Sequence, residues 1–325
     1  MTADPARLGA GASLFLEFVP APTRRSLGDD LEVPLVSSAL IAEHAPSLTG
    51  PCLEVTWPGT AALGGVLRAV RHKDGVMAVR LPEVLSEDPR ARGHAVQAVV
   101  AVAEDAAFDR PLVIVGGVAG TAGEGAAERF SDELFAAVDV GITSVVLRPA
   151  ALDDELLDAL CELTEPLREL GIGIEADFGP DEGAAFLLAQ LDELGLPLAA
   201  VRGAGEDDEL GGGLLVVDPA AGDIPDLPVR VSLDPFVVKG LARALDDEAG
   251  RALLASARER GASSTLAESL PRLAQLDERG RARAEALVYA EVEAAAVALQ
   301  AARVASDLYD ALARELDIDV ARPAE

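Results

Sequence analysis

Short apolar runs alternate with helical stripes along most of this chain, and prolines or glycines separate them. Ser13–Phe18, Cys52–Trp57, Val76–Leu81, Pro111–Val115, Ser144–Leu147, Gly171–Ala176, Leu198–Val201 and Val229–Leu233 predict eight strands. Leu214–Val217 is a ninth candidate. Most of these runs are continuously apolar rather than alternating, as expected of strands covered on both faces in a parallel sheet.

The intervening segments carry helical periodicity. Asp153, Asp154 and Glu155 suit a helix N-terminus, Leu156, Leu160, Leu163, Leu167 and Leu170 form its stripe, and Gly171 ends it. The next unit repeats this grammar. Asp181 and Glu182 open it, Phe186, Leu187, Leu191 and Leu194 line one face, and Gly195 with Pro197 close it. Eight strand–helix units predict a (β/α)8 TIM-type barrel over residues 1–277. A doubly wound open parallel sheet with a helical domain is the alternative, because strand count does not establish closure.

Residues 278–325 differ. No strand pattern appears there, only an Ala-rich, charge-laced stretch in which Val288, Val292, Ala295, Leu299, Leu308, Leu312 and Leu316 can share a face. One long helix or a pair is expected, docking on the barrel or joining a second copy in a homo-oligomer.

Composition narrows the function classes. Half of the 325 residues are hydrophobic and mean hydropathy is +0.25, enough for a large core. No apolar run approaches the roughly 18 residues a membrane-crossing helix needs. The opening residues Met1–Pro5 lack the basic and apolar regions of a signal peptide, so a cytoplasmic protein is expected. A net charge of −29 and a pI near 4.3 argue against nucleic acid and against an anionic membrane surface. Lysine occurs only as Lys73 and Lys239, and asparagine not at all. GC-rich coding bias accounts for both depletions, while salt adaptation is the sharper account of the acid excess. Cys52 and Cys161 form no CxxC or metal-ligand spacing and read as two buried thiols.

In a barrel, chemistry sits at the C-terminal ends of the strands. The polar residues expected there are Glu17, Glu54, Arg80, Glu83, Arg148, Glu175, Asp177, Arg202 and Asp234, with Asp218 after the extra strand. Arg80, Arg148 and Arg202 each close an apolar run, and converging guanidinium groups would bind a carboxylate or phosphate. The plainer reading pairs Arg80 with Glu54 or Glu83, and Arg148 with Glu175 or Asp177. Glu17, Glu54 and Asp177 are the candidate acid and base residues, and Glu175 with Asp177 the candidate ligands for a divalent cation such as Mg2+. Glycines 203, 205 and 211–213 could cradle phosphate, but the intervening Glu206–Glu209 acids oppose that. No lysine is expected at the mouth, which disfavours a Schiff base. His44, His72 and His94 fall away from strand ends.

Leu16–Pro20 (LEFVP), Cys52–Pro58 (CLEVTWP) and Gly117–Gly120 (GVAG) resemble strand ends of methylenetetrahydrofolate reductases, which are flavin-dependent barrels. The likeness covers a small fraction of the chain. It lacks the family's Arg-Gly-Asp-type strand end and the glutamine in place of Arg148. It implies a flavin and a stacking role for Trp57, whereas a packed aromatic at the barrel rim is the reading from the residues alone.

These features lead to a barrel that binds a small anionic molecule at its C-terminal mouth, with lyase or isomerase chemistry if it is an enzyme. A catalytically silent scaffold or assembly subunit is the alternative from another class, and a flavin-dependent reductase-like barrel a weaker one. An open polar mouth separates the first from the second.

Overall fold

The structure is a computed structural model and describes residues 12–86, 88–118, 125–147, 154–178, 191, 193, 195–203, 213–219 and 228–318. Eight parallel strands close into a barrel: β1 (Cys52–Thr56), β2 (Met77–Arg80), β3 (Leu112–Gly117), β4 (Ser144–Leu147), β5 (Gly173–Asp177), β6 (Ala200–Arg202), β7 (Leu214–Val217) and β8 (Val229–Ser232). Each pairs with its successor, and β8 returns to β1 with Cys52 opposite Arg230 and Glu54 opposite Ser232. Closure removes both sheet edges, so every ladder position finds a backbone partner.

The strand set differs from the sequence expectation in one place. Residues 12–17 form a helix, and Leu214–Val217, the ninth candidate, supplies β7. A six-residue apolar run does not distinguish a strand from one buried helical turn and a half. Here the helix buries Leu14 and Phe15, and Phe15 meets Tyr309 edge-on at 6.4 Å between ring centroids. The LEFVP segment is therefore not a strand end, which removes one of the three segments carrying the reductase likeness.

This helix belongs to a plug at the N-terminal end of the barrel. The helix Ser38–His44, capped by Ser37 on the Leu40 amide, sends Ser38 into the barrel floor. There the Ser38 backbone N–H and side-chain hydroxyl both bond Ser144 Oγ at 2.8 Å. Gly173 beside them leaves the space: a Cβ there would collide with both serine hydroxyls. Closing this end with packed side chains leaves the opposite end as the open one.

The C-terminal segment forms two helices, Glu278–Ala298 and Val304–Glu315. The break falls where Gln300 and Arg303 adopt left-handed backbone, φ 55° and 70°. Of the expected stripe, Val288, Val292 and Ala295 pack on the helices Thr60–His72 and Asp234–Ala244, Leu308 and Leu312 are buried in the plug-side cluster, and Leu316 is exposed. Close approach depends on Gly65, whose added Cβ would fall on the Glu285 carbonyl oxygen, and on Gly240, where it would lie 2.7 Å from Val288 Cα. No helix among the described residues is long and apolar enough to cross a membrane.

Candidate active site at the C-terminal mouth

Alternation along each strand decides which side chains enter the barrel. On β1, Leu53 and Val55 join the outer core shared with the helices, while Cys52, Glu54 and Thr56 point inward. The same rule brings in Arg80 from β2, Glu175 and Asp177 from β5, Arg202 from β6 and Arg230 from β8. Apolar Ala78, Val115, Val146 and Leu214 occupy other inward positions.

The inward charges form a belt. Arg230 Nη1 reaches Glu54 Oε2 at 3.2 Å and both oxygens of Glu175 at 2.8 and 2.9 Å. Arg202 Nη2 holds the other oxygen of Glu54, and Arg80 Nη2 pairs with Asp177. Three guanidinium groups thus face three carboxylates, the balance a low-dielectric interior requires. Burial penalises the charge on Glu54, yet Arg202, Arg230 and Arg80 outweigh it and hold the carboxyl below its usual range. Burial also works against the charges on Arg80 and Arg230, but their carboxylate neighbours raise both pKa values further. Glu54, Arg80 and Arg230 are thus held in their charged forms. Arg202 Nε and Arg230 Nη2 have no hydrogen-bond partner among the described residues, so the guanidinium groups retain unused donors.

Beside the belt, Asp234 stands two residues beyond β8, at the first turn of its helix. Its carboxyl accepts from the Thr56 backbone N–H and hydroxyl, each at 2.7 Å, and from Ser263 Oγ at 2.5 Å. Full burial pushes its pKa up, and the three donors only partly offset that. Ser263 arrives on the helix Ala262–Leu273, which lies across this side of the mouth.

Above the belt opens a cavity of about 760 Å³, a size suited to a small molecule. Its floor includes Thr56, Arg80, Asp177, Arg202 and Ser263. Leu81, Val84, Leu85 and Leu270 add apolar lining, and Glu83, Glu133 and Glu268 add further carboxylates. Side-chain exposure separates the arginines: Arg80 and Arg202 are 18% and 23% exposed, Arg230 only 1%. Two guanidinium groups therefore face the cavity and the third holds the carboxylates beneath.

The structure thus gathers Glu54, Arg80, Glu175, Asp177 and Arg202 at one place. Glu17 is not among them. It is exposed on the helix 12–17, whose neighbours Leu14 and Phe15 pack into the plug at the other end of the barrel. Arg148 lies outside the described residues, as do glycines 205, 211 and 212 of the glycine-rich segments. Arg80 pairs with Asp177 rather than with Glu54 or Glu83 as its closest bonded partner. No group of three or more His, Cys, Asp or Glu side chains among the described residues is arranged to hold a metal ion, and Glu175 and Asp177 are both engaged by arginines. Trp57 is buried in the outer core, the packed-rim position.

Both lysines lie outside the mouth, Lys73 on Glu293 at 3.2 Å and Lys239 on Glu291 at 2.7 Å. His44 meets Glu315, His72 meets Tyr289 and Glu293, and His94 is exposed; none lines the cavity. Cys52 is buried and Cys161 half-buried, both as free thiols. Sequence reasoning missed Arg230, Thr56 and Ser263. An arginine between two valines in β8 was a usable sign, since only an inward turn gives it partners.

Comparison with known proteins supports this architecture. No protein-family model matches the chain, and neither does any curated protein sequence. Among solved structures, the YdjI aldolase of Escherichia coli K12 matches with a TM-score of 0.53 and 13% identity, over 83% of this chain and 99% of that one. Fructose-bisphosphate aldolase of Campylobacter jejuni gives 0.52 and 12%, over 83% and 96%. A putative fructose-1,6-bisphosphate aldolase of Coccidioides immitis gives 0.50 and 17%, over 86% and 99%. At such identities the likeness establishes the TIM-barrel fold.

Proposed function

We propose that this barrel binds a small carboxylate or phosphate at its C-terminal mouth and acts on it by acid–base chemistry of the lyase or isomerase kind. The observation that carries the reading is the cavity itself, open above Arg80 and Arg202, the two belt guanidinium groups that remain partly exposed. These would grip the anion, with Glu54 fixing Arg202 from behind. Asp177, bonded to Arg80 in the cavity floor, is the belt carboxylate placed to exchange a proton with a bound molecule. The aldolase neighbours weigh toward a lyase. A Schiff-base route has no amine in this cavity, because both lysines face the long C-terminal helix.

A scaffold role has less support. Among the described residues the mouth holds a cavity, and Val288, Val292 and Ala295 of the stripe that would have recruited a partner are buried within the chain.

Calorimetric titration of the full chain with phosphate and a set of small mono- and dicarboxylates tests the proposal. At least one should bind, and Arg202→Gln should weaken it by about tenfold or more. Absence of binding by every anion, or binding indifferent to Arg202, overturns it. Mg2+ titrated alone tests Glu175 and Asp177 as a cation site, since a cation there would have to displace Arg230 and Arg80 from these carboxylates.

A further inference from the structure

Resting on the anion-binding reading, we infer that the mouth takes up a proton together with its anion, and that Asp234, one side chain beneath the cavity, accepts it. Charge balance and the bonds of this one carboxyl carry the inference.

Arg80, Arg202 and Arg230 are matched by Asp177, Glu54 and Glu175, so the belt holds no surplus positive charge. Glu83, Glu133 and Glu268 also line the cavity, with Glu133 near Arg92 and Glu268 paired with Arg260. An anion resting on Arg80 and Arg202 therefore brings a negative charge that nothing in the belt offsets. Holding such a charge away from water is costly. A proton taken from solvent relieves that cost where a neighbouring carboxyl can accept it.

Asp234 is placed to do so. The belt carboxylates are each bonded to a guanidinium group, which favours their charged forms. Among the described residues the Asp234 carboxyl is held by neutral donors instead: the Thr56 N–H and hydroxyl at 2.7 Å, and the Ser263 hydroxyl at 2.5 Å. Thr56 and Ser263 both line the cavity, which puts Asp234 directly behind its surface.

The surroundings of Asp234 set the sign. Burial already pushes its pKa up, and the nearby Glu54 charge adds to that push. Charged groups on the other elements packed against its helix have partners of their own. Arg230 is bonded to Glu54 and Glu175, Arg68 to Asp105 and Glu285, Glu268 to Arg260, and Glu291 to Lys239 and Arg243. An anion in the cavity is a further like charge and raises the pKa of Asp234 again. Affinity is then greatest below the pKa of the empty site. It falls as pH rises from that value to the higher pKa of the occupied site, by at most about tenfold per pH unit for one proton.

Phosphate, acetate, lactate and malonate test this when titrated calorimetrically into the full-length protein. Each is measured in two buffers of different ionisation enthalpy, from about pH 5 to about pH 8. The difference between buffers, less the probe's own protonation, counts the protons taken up. An anion that binds should bring with it a measurable fraction of a proton, about one at most, and its affinity should fall with rising pH in step. Asp234→Asn, with folding checked by circular dichroism, should bind the same anion with most of that uptake gone and a flat pH profile. Ser263→Ala removes a donor that favours the charged carboxyl, so it should move the window of uptake to higher pH. Binding without uptake at any pH overturns the inference and leaves the anion site standing. Uptake undiminished in Asp234→Asn overturns it as well and assigns the proton to another lining carboxylate. Failure of every anion to bind removes the anion site and the inference together. The wild-type comparison needs no variant, so a poorly folding Asp234→Asn does not shield the inference.

Discussion

Glu54 of β1 and Arg230 of β8 meet across the barrel seam at 3.2 Å, and each is also bonded to a second charged side chain. Glu54 shares itself between two arginines, and Arg230 between two glutamates. The seam that closes the barrel is therefore tied by side chains as well as by the backbone ladder.

Removing Arg230 alone should cost more than removing it together with the two glutamates it holds. Arg230→Met strands two buried carboxylates and is expected to lower stability by about 3–5 kcal/mol. Adding Glu54→Gln and Glu175→Gln to it should recover part of that loss, since no uncompensated charge then remains among the three. Urea unfolding of the single and triple variants measures the difference, and additive losses would contradict it.

The belt and its neighbour Asp234 should respond to pH in opposite senses. The depressed pKa of Glu54 contributes stability that is complete above the usual range of an unfolded glutamate and is lost as pH falls through the folded value. The raised pKa of Asp234 contributes stability that is complete below the usual aspartate range and is lost as pH rises through its folded value. Glu54→Gln should therefore lose most, relative to wild type, at neutral pH, and Asp234→Asn most in acid. Urea midpoints from about pH 2 to about pH 8 give the two slopes.

The two thiols should differ in reactivity. Burial pushes the Cys52 pKa up to about 12, partly opposed by Arg230, so at neutral pH it is a protonated, enclosed thiol. Cys161 is only half-buried. Iodoacetamide followed by mass spectrometry should label Cys161 in the native protein and Cys52 only after denaturation.

The seat of the long C-terminal helix should be sensitive to single methyl groups. Gly65→Ala would place a carbon on the Glu285 carbonyl oxygen, which belongs to helix backbone and has little room to move. We expect a loss of about 1–3 kcal/mol by thermal or urea unfolding. Gly64→Ala meets only the Glu285 side-chain carboxylate, at 3.0 Å, and should cost much less.

How far the sequence foretold this molecule depended on the range of the interaction. The strand–helix rhythm is local, so seven of the eight expected strands, the ninth candidate that became β7, and the barrel class could be read from apolar runs and breaks. Ser13–Phe18 misled because six apolar-rich residues suit either a strand or a buried helix, and contacts with Tyr309 settle which. Glu54, Glu175, Asp177, Arg80 and Arg202 were found because they occupy inward or terminal positions on apolar strands. Their partners were not, since the Glu54–Arg202 and Arg80–Asp177 pairs form across the barrel lumen between strands that are not neighbours. Ser263 was beyond reach, because it enters the site from a helix on no strand end and only its bond to Asp234 marks it.

The belt also constrains how this barrel can change over generations. Losing Arg230 alone strands the charges of Glu54 and Glu175, while losing it together with both leaves only Arg202, which is partly exposed at the cavity, without its carboxylate. Descendants that keep the fold are thus expected to inherit the group whole or shed it whole, and a lineage missing one member should carry a compensating change at another. The middle of the barrel behaves as a single heritable character, while the cavity walls above it are free to drift toward new ligands one residue at a time.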